Sequence, residues 1–127
     1  MPIQTTHGIR VSVSAEYLPT ASNPEADEFL FAYHINITND GDEPAQLLTR
    51  HWLIKDALNN VEEVRGEGVI RQQPLLEPGE SFSYSSGCPL PTEWGTMRGT
   101  YQMIRLNGET FDVAIPPFAL MPHNFLN

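Results

Sequence analysis

The stretch from Phe29 to Asn39 constrains the fold more than any other part of the chain. Its side chains alternate between an aromatic and aliphatic set and a more polar set: Phe29, Phe31, Tyr33, Ile35 and Ile37 against Leu30, Ala32, His34, Asn36 and Thr38. Successive side chains of a β-strand point to opposite faces, so a period of two over eleven residues indicates a strand with one buried face. We therefore expect a long strand whose aromatic face lies in the core.

Shorter alternating runs occur along the rest of the chain. Including the first, they predict strands at 10–17, 29–39, 45–56, 61–65, 81–85, 96–106 and 109–116. Asn107-Gly108 is a strong hairpin signal, because a tight hairpin turn needs positive φ at both central residues. No segment has the periodicity of a ten-residue helix. About seven strands predict an all-β, immunoglobulin/fibronectin type III-like antiparallel β-sandwich, with a small closed barrel as the alternative.

Residues 45–56 form the one strand with two competing faces. Leu48, Trp52 and Ile54 favour one side as the inner face, and that choice also places Arg50 inward. The opposite side, which begins with Leu47, is mixed. We therefore expect a strand that is covered partly on both sides.

Three segments without alternation are predicted to lie outside the strands. Residues 18–28 carry two prolines and three acids and are predicted to form an exposed loop. Residues 87–95 are predicted to form another loop, with Cys88 as a small packing residue beside a turn. The tail from Pro117 has no periodicity and is predicted to fray beyond Leu120.

Length and charge limit the classes of protein to which the chain can belong. The 127 residues predict a single domain, with an ordered core at about 10–120 and mobile ends. A net charge of −9 opposes binding to nucleic acid or to an anionic membrane surface. No apolar run is long enough to insert into a membrane. The single cysteine and the absence of a signal-like start predict a cytoplasmic protein, and no pattern indicates a cofactor.

Several blocks occur together in a recognisable order: Arg50-His51-Trp52, 61–68, 78–82, 86–90, 95–99 and 111–118. In this set and order the chain resembles the bacterial ApaG family, from about residue 11 to 120. The resemblance implies a fibronectin-type sandwich and an association with diadenosine tetraphosphate metabolism and cobalt/magnesium efflux. It implies no catalytic residues. Related domains attached to eukaryotic F-box proteins and to a DNA-polymerase-interacting protein suggest an interaction module.

The glycine-containing loop from Arg65 to Arg71 is one candidate site. The family pattern usually has Gly-x-Gly-x-x-Gly here, and this chain has Gly66, Gly68 and then Arg71 in place of the third glycine. Arg65 and Arg71 could flank an anion such as pyrophosphate, while Glu67 would oppose it. A dinucleotide fingerprint also needs a following helix, which this sequence lacks. The alternative is that the glycines only let the chain turn.

Arg50, His51 and Trp52 are the candidate partner surface, because arginine and aromatic residues are favoured at interface centres. The alternative is a core Trp52 and an Arg50 paired with an acid. No nucleophile, paired-acid or metal-ligand pattern appears. The sequence thus predicts a non-enzymatic protein-interaction module without a metal, which docks a protein partner by a sheet face or edge and could form a homodimer there. The alternative is a small regulatory domain that binds a nucleotide, polyphosphate or divalent cation at 65–71.

Overall fold

A computed structural model describes residues 1–122 of the chain. It consists of nine strands: β1 (Ile3–Thr6), β2 (Ile9–Tyr17), β3 (Phe29–Asn39), β4 (Ala45–Asp56), β5 (Val61–Glu67), β6 (Leu75–Leu76), β7 (Ser81–Leu90), β8 (Gly95–Arg105) and β9 (Thr110–Leu120). Two three-residue 3-10 helices, Pro19–Ala21 and Pro24–Ala26, lie in the predicted loop between β2 and β3. No helix within residues 1–122 has the length and apolarity needed to cross a membrane.

The strands form two antiparallel sheets, with the orders β1-β2-β3-β7 and β5-β4-β8-β9, and β6 pairs with the end of β4. The predicted all-β antiparallel sandwich is thereby confirmed. The aromatic face of β3 lies in the core as expected. At its centre the rings of Tyr33, Trp52 and Phe118 meet in edge-on and tilted contacts, with centroids 5.4 to 6.1 Å apart.

The structure differs from the sequence prediction at strand ends. β7 continues through Cys88 to Leu90, and β9 continues to Leu120, whereas loops were predicted at 87–95 and from 117. The missing alternation had suggested these breaks. Both segments also contain prolines, but both strands are at sheet edges, where the missing N–H of a proline need not cost a ladder bond. β1 and β6 are strands that the alternation did not predict. Residues 123–127, with His123 and the rest of the predicted frayed tail, lie outside the described range.

A β-bulge in β4 explains its two competing faces. Leu47 pairs with Met103 on β8, and Thr49 pairs with the adjacent Gln102. Leu48 has no partner on β8 and is therefore the inserted residue. The insertion reverses the alternation along the strand. Leu47 therefore faces the core before the bulge, and Trp52 faces the core after it.

The two sides of the sandwich are closed differently. On one side β9 packs against β1 and β2, and Thr6 Oγ1 accepts a hydrogen bond from the Ala114 N–H. The other side lies between the edge strands β7 and β5, which belong to different sheets. The chain that follows β5 folds into this opening, where Val69 is buried.

Candidate functional site: a cleft beside an edge strand

A cavity of about 280 Å³ lies at the opening between β7 and the turn that follows β5. We call it the open-side cleft, and it is lined by Tyr33, Arg50, Glu67, Val69, Ile70, Arg71, Tyr84 and Ser86. The hydroxyl of Tyr84 hydrogen-bonds to the hydroxyl of Tyr101, which is fully buried. Burial raises the pKa of both tyrosines, so their hydroxyls stay neutral at physiological pH.

Arg50 places its guanidinium in this cleft by lying against the backbone of β5. A Cβ at Gly66 would lie 2.8 Å from the guanidinium, so the glycine makes room for it. Nη1 of Arg50 donates to the carbonyls of Glu67 and Gly68 at 3.0 and 2.9 Å. Within residues 1–122 no carboxylate forms an ion pair with Arg50. Its charge is therefore held by carbonyl dipoles and is open to an anion.

The turn that carries Arg71 has unusual backbone geometry. Val69 and Gln72 exchange backbone hydrogen bonds of 2.8 and 2.9 Å, and the two residues between them have positive φ, 43° at Ile70 and 65° at Arg71. Turns of this type ordinarily carry asparagine or glycine, and a β-branched residue there is strained. Strained backbone is concentrated at functional sites. Arg71, which occupies the position of the third glycine in the family pattern, lines the cleft from this turn.

The structure brings together only part of the predicted anion loop. Arg71 lines the cleft, and Gly66 and Gly68 contact the Arg50 guanidinium beside it, but Arg65 projects from the outer face of β5 and pairs with Glu63 at 3.0 Å. Arg50, which the sequence analysis assigned to a different site, is the second cation instead. The amides of the loop do not converge on an empty point: Gly68 N–H donates to the Leu48 carbonyl, and Val69 N–H closes the turn. A phosphate cradle of backbone N–H groups is thus missing at these positions.

The predicted partner surface is also divided. Trp52 is only 2% exposed and is part of the aromatic core, while Arg50 lies in the cleft. His51 points to the outer face of the sheet, with Nε2 3.4 Å from the carboxylate of Glu63. Consecutive strand residues face opposite ways, so these three residues do not form one contiguous surface. The strand predicted at 45–56 already implied that neighbouring residues face opposite sides of the sheet.

A hydrogen-bonded chain that the sequence did not reveal crosses the outer face of the other sheet. His34 Nδ1 lies 2.6 Å from Ser85 Oγ, and its Nε2 lies 3.2 Å from Glu16 Oε1. The order serine, histidine and carboxylate resembles a nucleophile with its base and orienting group. However, the backbone N–H groups of β3, which lies between β2 and β7, are used in the sheet, and the side-chain amide of Asn36 donates to Ser83. The serine, histidine and glutamate side chains lie on an exposed sheet face, where water weakens the electrostatic stabilisation of an oxyanion.

Neither a reactive thiol nor a metal cluster is present in the described part of the chain. Cys88 is buried, and burial together with the charge of Glu62 raises the pKa of its thiol to about 11. A thiol in this environment is a poor nucleophile. Among residues 1–122 no three His, Cys, Asp or Glu side chains come together as metal ligands.

The edge strand beside the cleft, β7, is long and uncharged. Its ten residues include no Asp, Glu, Lys or Arg, and within the described range it pairs only with β3. The Asn39 N–H donates to the Glu80 carbonyl, and this sets the phase of the ladder. Ser83 and Ser85 then keep their N–H and C=O groups on the open side. β5 has an edge too, but it carries four charged residues.

Comparisons with known proteins agree closely with one another. A family model described as the ApaG domain matches residues 19–105. Protein ApaG of Bordetella pertussis is 53% identical over 114 residues, 90% of this chain and 87% of that protein. Protein ApaG of Rhodospirillum centenum is 52% identical over 121 residues, 94% of this chain and 93% of that protein.

Two solved structures are similar over nearly the whole chain. A Bordetella pertussis protein solved by crystallography under the name ApaA has a TM-score of 0.88 at 51% identity, with 96% of both chains covered. A structural-genomics X-ray structure has a TM-score of 0.89 at 40% identity, with 95% of this chain and 92% of the other covered.

Proposed function

Because the chain belongs to the ApaG family, whose related domains suggest interaction modules, we propose that it is a non-enzymatic domain that docks a partner protein. The docking site is the open edge of β7, which takes up an extended segment of the partner as an additional strand. The observation that carries this proposal is the ten-residue edge without a charge. The reducing environment suggested by the single free cysteine makes a cytoplasmic partner the natural expectation.

Exposed strand edges invite pairing, and natural proteins usually protect them with charges, prolines or bulges. The opposing edge, β5, follows this rule with Glu62, Glu63, Arg65 and Glu67. β7 has only Pro89, near its end. An edge of this length that lacks protection is suited to strand addition, in which main-chain hydrogen bonds supply affinity and alternate side chains supply specificity.

A second copy of this chain could use the same edge, which would produce a homodimer with a continuous sheet. Each copy carries a net charge of −9, so the two copies repel each other. We therefore propose a different protein as the main partner. The dinucleotide and cation-efflux associations implied by the family resemblance would then act through that partner.

Free polyphosphate is the second candidate ligand, since Arg50 and Arg71 both line the open-side cleft. Against it, Arg65 lies outside the cleft and the amides of Gly68 and Val69 already have carbonyl acceptors. The first candidate is therefore preferred.

The docking proposal is tested by changing one backbone N–H on the open edge. Ser83→Pro removes both the backbone N–H and the side-chain hydroxyl. The control, Ser83→Ala, removes the hydroxyl but keeps the backbone N–H. Partner capture, followed by a binding titration with the purified partner, is expected to succeed with the wild type and Ser83→Ala and to fail with Ser83→Pro. Folding of each variant is checked by amide spectra. Equal binding by the proline variant would exclude the β7 edge as the docking site.

A further inference from the structure

We infer that the open-side cleft binds an acidic side chain carried by the segment that docks on β7. This inference rests on the proposed function and names the chemistry of the partner: an extended peptide segment with one glutamate or aspartate that faces the cleft. Nothing in the sequence pattern alone connects the cleft with the edge strand.

The connection comes from the residues that line the cleft. Tyr84 and Ser86 belong to β7, whereas Arg50 and Arg71 reach it from the opposing sheet and its turn. A strand added to the open edge of β7 lies about 4.8 Å further out, at the mouth of this cleft. Every second side chain of that strand points to the inner face. One of these side chains therefore enters the cleft.

The cleft is prepared for a negative group. Within residues 1–122 neither Arg50 nor Arg71 forms an ion pair with a carboxylate. Nη1 of Arg50 is held by two carbonyls, which orients the guanidinium and leaves its other N–H groups for a ligand. A guanidinium of this kind binds a carboxylate in a bidentate manner, with charge-assisted hydrogen bonds.

The surroundings favour one carboxylate over a ligand with several charges. Glu67 also lines the cleft, and its carboxylate opposes additional negative charge. A cavity of about 280 Å³ accommodates a single acidic side chain, whereas a dinucleotide polyphosphate is too large for it.

The test uses two synthetic decapeptides of alternating threonine and valine, capped at both ends, one with a central glutamate and the other with glutamine in its place. Each is titrated into the labelled full chain at low salt, with the amides of β7 and the side-chain signals of Arg50 and Arg71 observed. We expect the glutamate peptide to bind at least about tenfold more tightly, since each charge-assisted hydrogen bond to the guanidinium contributes about that much or more. Arg50→Gln and Arg71→Gln should each reduce this preference, and Arg65→Gln, on the outer face, should keep it; an unchanged preference in both cleft variants would overturn the inference.

The outcomes separate the inference from the proposed function. Equal affinity for the two peptides, with shifts in β7, would overturn the acidic-residue inference and leave edge docking in place. If neither peptide shifts the β7 amides, edge docking is overturned as well. A parallel titration with pyrophosphate covers the remaining ligand: saturation of the Arg50 and Arg71 signals at lower concentration than with the glutamate peptide would make free polyphosphate the ligand and overturn the inference.

Discussion

We predict that removing the hydroxyl of Tyr84 and removing the hydroxyl of Tyr101, which pair beneath the open-side cleft, cost different amounts of stability. The hydroxyls of Tyr84 and Tyr101 hydrogen-bond to each other, but only Tyr84 lines the cleft. Tyr101 is 0% exposed, and Tyr84 is 7% exposed. Replacing either tyrosine with phenylalanine leaves the other hydroxyl without its partner. The cost then depends on whether water reaches the hydroxyl that remains.

Tyr84→Phe leaves the hydroxyl of Tyr101 unpaired at a site without solvent, which costs about 1–3 kcal/mol. Tyr101→Phe leaves the hydroxyl of Tyr84 beside a cavity large enough for water, so its cost should be about 0.5–1.5 kcal/mol. The double variant removes both hydroxyls and should lose less stability than Tyr84→Phe alone. At roughly 4 °C per kcal/mol for a chain of this size, Tyr84→Phe should melt several degrees below Tyr101→Phe.

Urea denaturation of the wild type, both single variants and the double variant measures these free energies of unfolding, provided that the denaturant slope is constant. Equal losses of stability for Tyr101→Phe and Tyr84→Phe would contradict the unequal access of water to the two hydroxyls. A double variant whose loss equals the sum of the two single losses to within about 0.5 kcal/mol would show that the hydroxyls are independent, which would contradict their pairing.

Three further predictions concern a turn, a thiol and an outer-face serine. Gly68→Ala should destabilise the protein by more than about 2 kcal/mol, because its Cβ would lie 2.3 Å from the Gln72 carbonyl oxygen at a φ of 63°. The matched control Gly79→Ala, also at positive φ but with open space around it, should lose about 1 kcal/mol in the same thermal melts. Equal losses in the two variants would contradict a steric cause at Gly68. Cys88 should react with iodoacetamide at pH 8 about a hundredfold more slowly in the native than in the urea-unfolded chain, given its raised pKa; rates within about tenfold would contradict this. Ser85→Ala should leave the hydrolysis of p-nitrophenyl acetate unchanged, and mass-spectrometric detection of acetyl on Ser85 of the wild type would argue for catalysis.

The sequence predicts those parts of the fold that local alternation determines. β3 matches its predicted bounds, and its aromatic face lies in the core. The boundaries that differ depend on position in the sheet, which local pattern does not contain. A proline such as Pro89 would interrupt a central strand, but an edge strand accommodates it. The order of the strands in the sheet, which the local pattern does not contain, makes β7 an edge strand.

The candidate site was harder to predict because it combines residues that are distant in sequence. Gly66, Gly68 and Arg71 were identified as one loop, but Arg50 joins them only because β4 pairs with β5 in one register, Arg50 opposite Gly66. The contribution of Tyr84 and Ser86 requires knowledge of how the two sheets stack. Likewise, the chain from Ser85 through His34 to Glu16 exists only across three paired strands.

The bulge at Leu48 determines which sequence changes this chain can accept during evolution. Replacement of Leu48 by another side chain leaves the number of residues in β4 unchanged, so the two faces of the strand keep their positions. Loss of the residue would restore simple alternation and exchange the faces beyond it, moving Trp52 to solvent and His51 into the core. We therefore expect relatives to vary in the identity of this residue but to retain its presence, so that sequences aligned with this one should show no gap here.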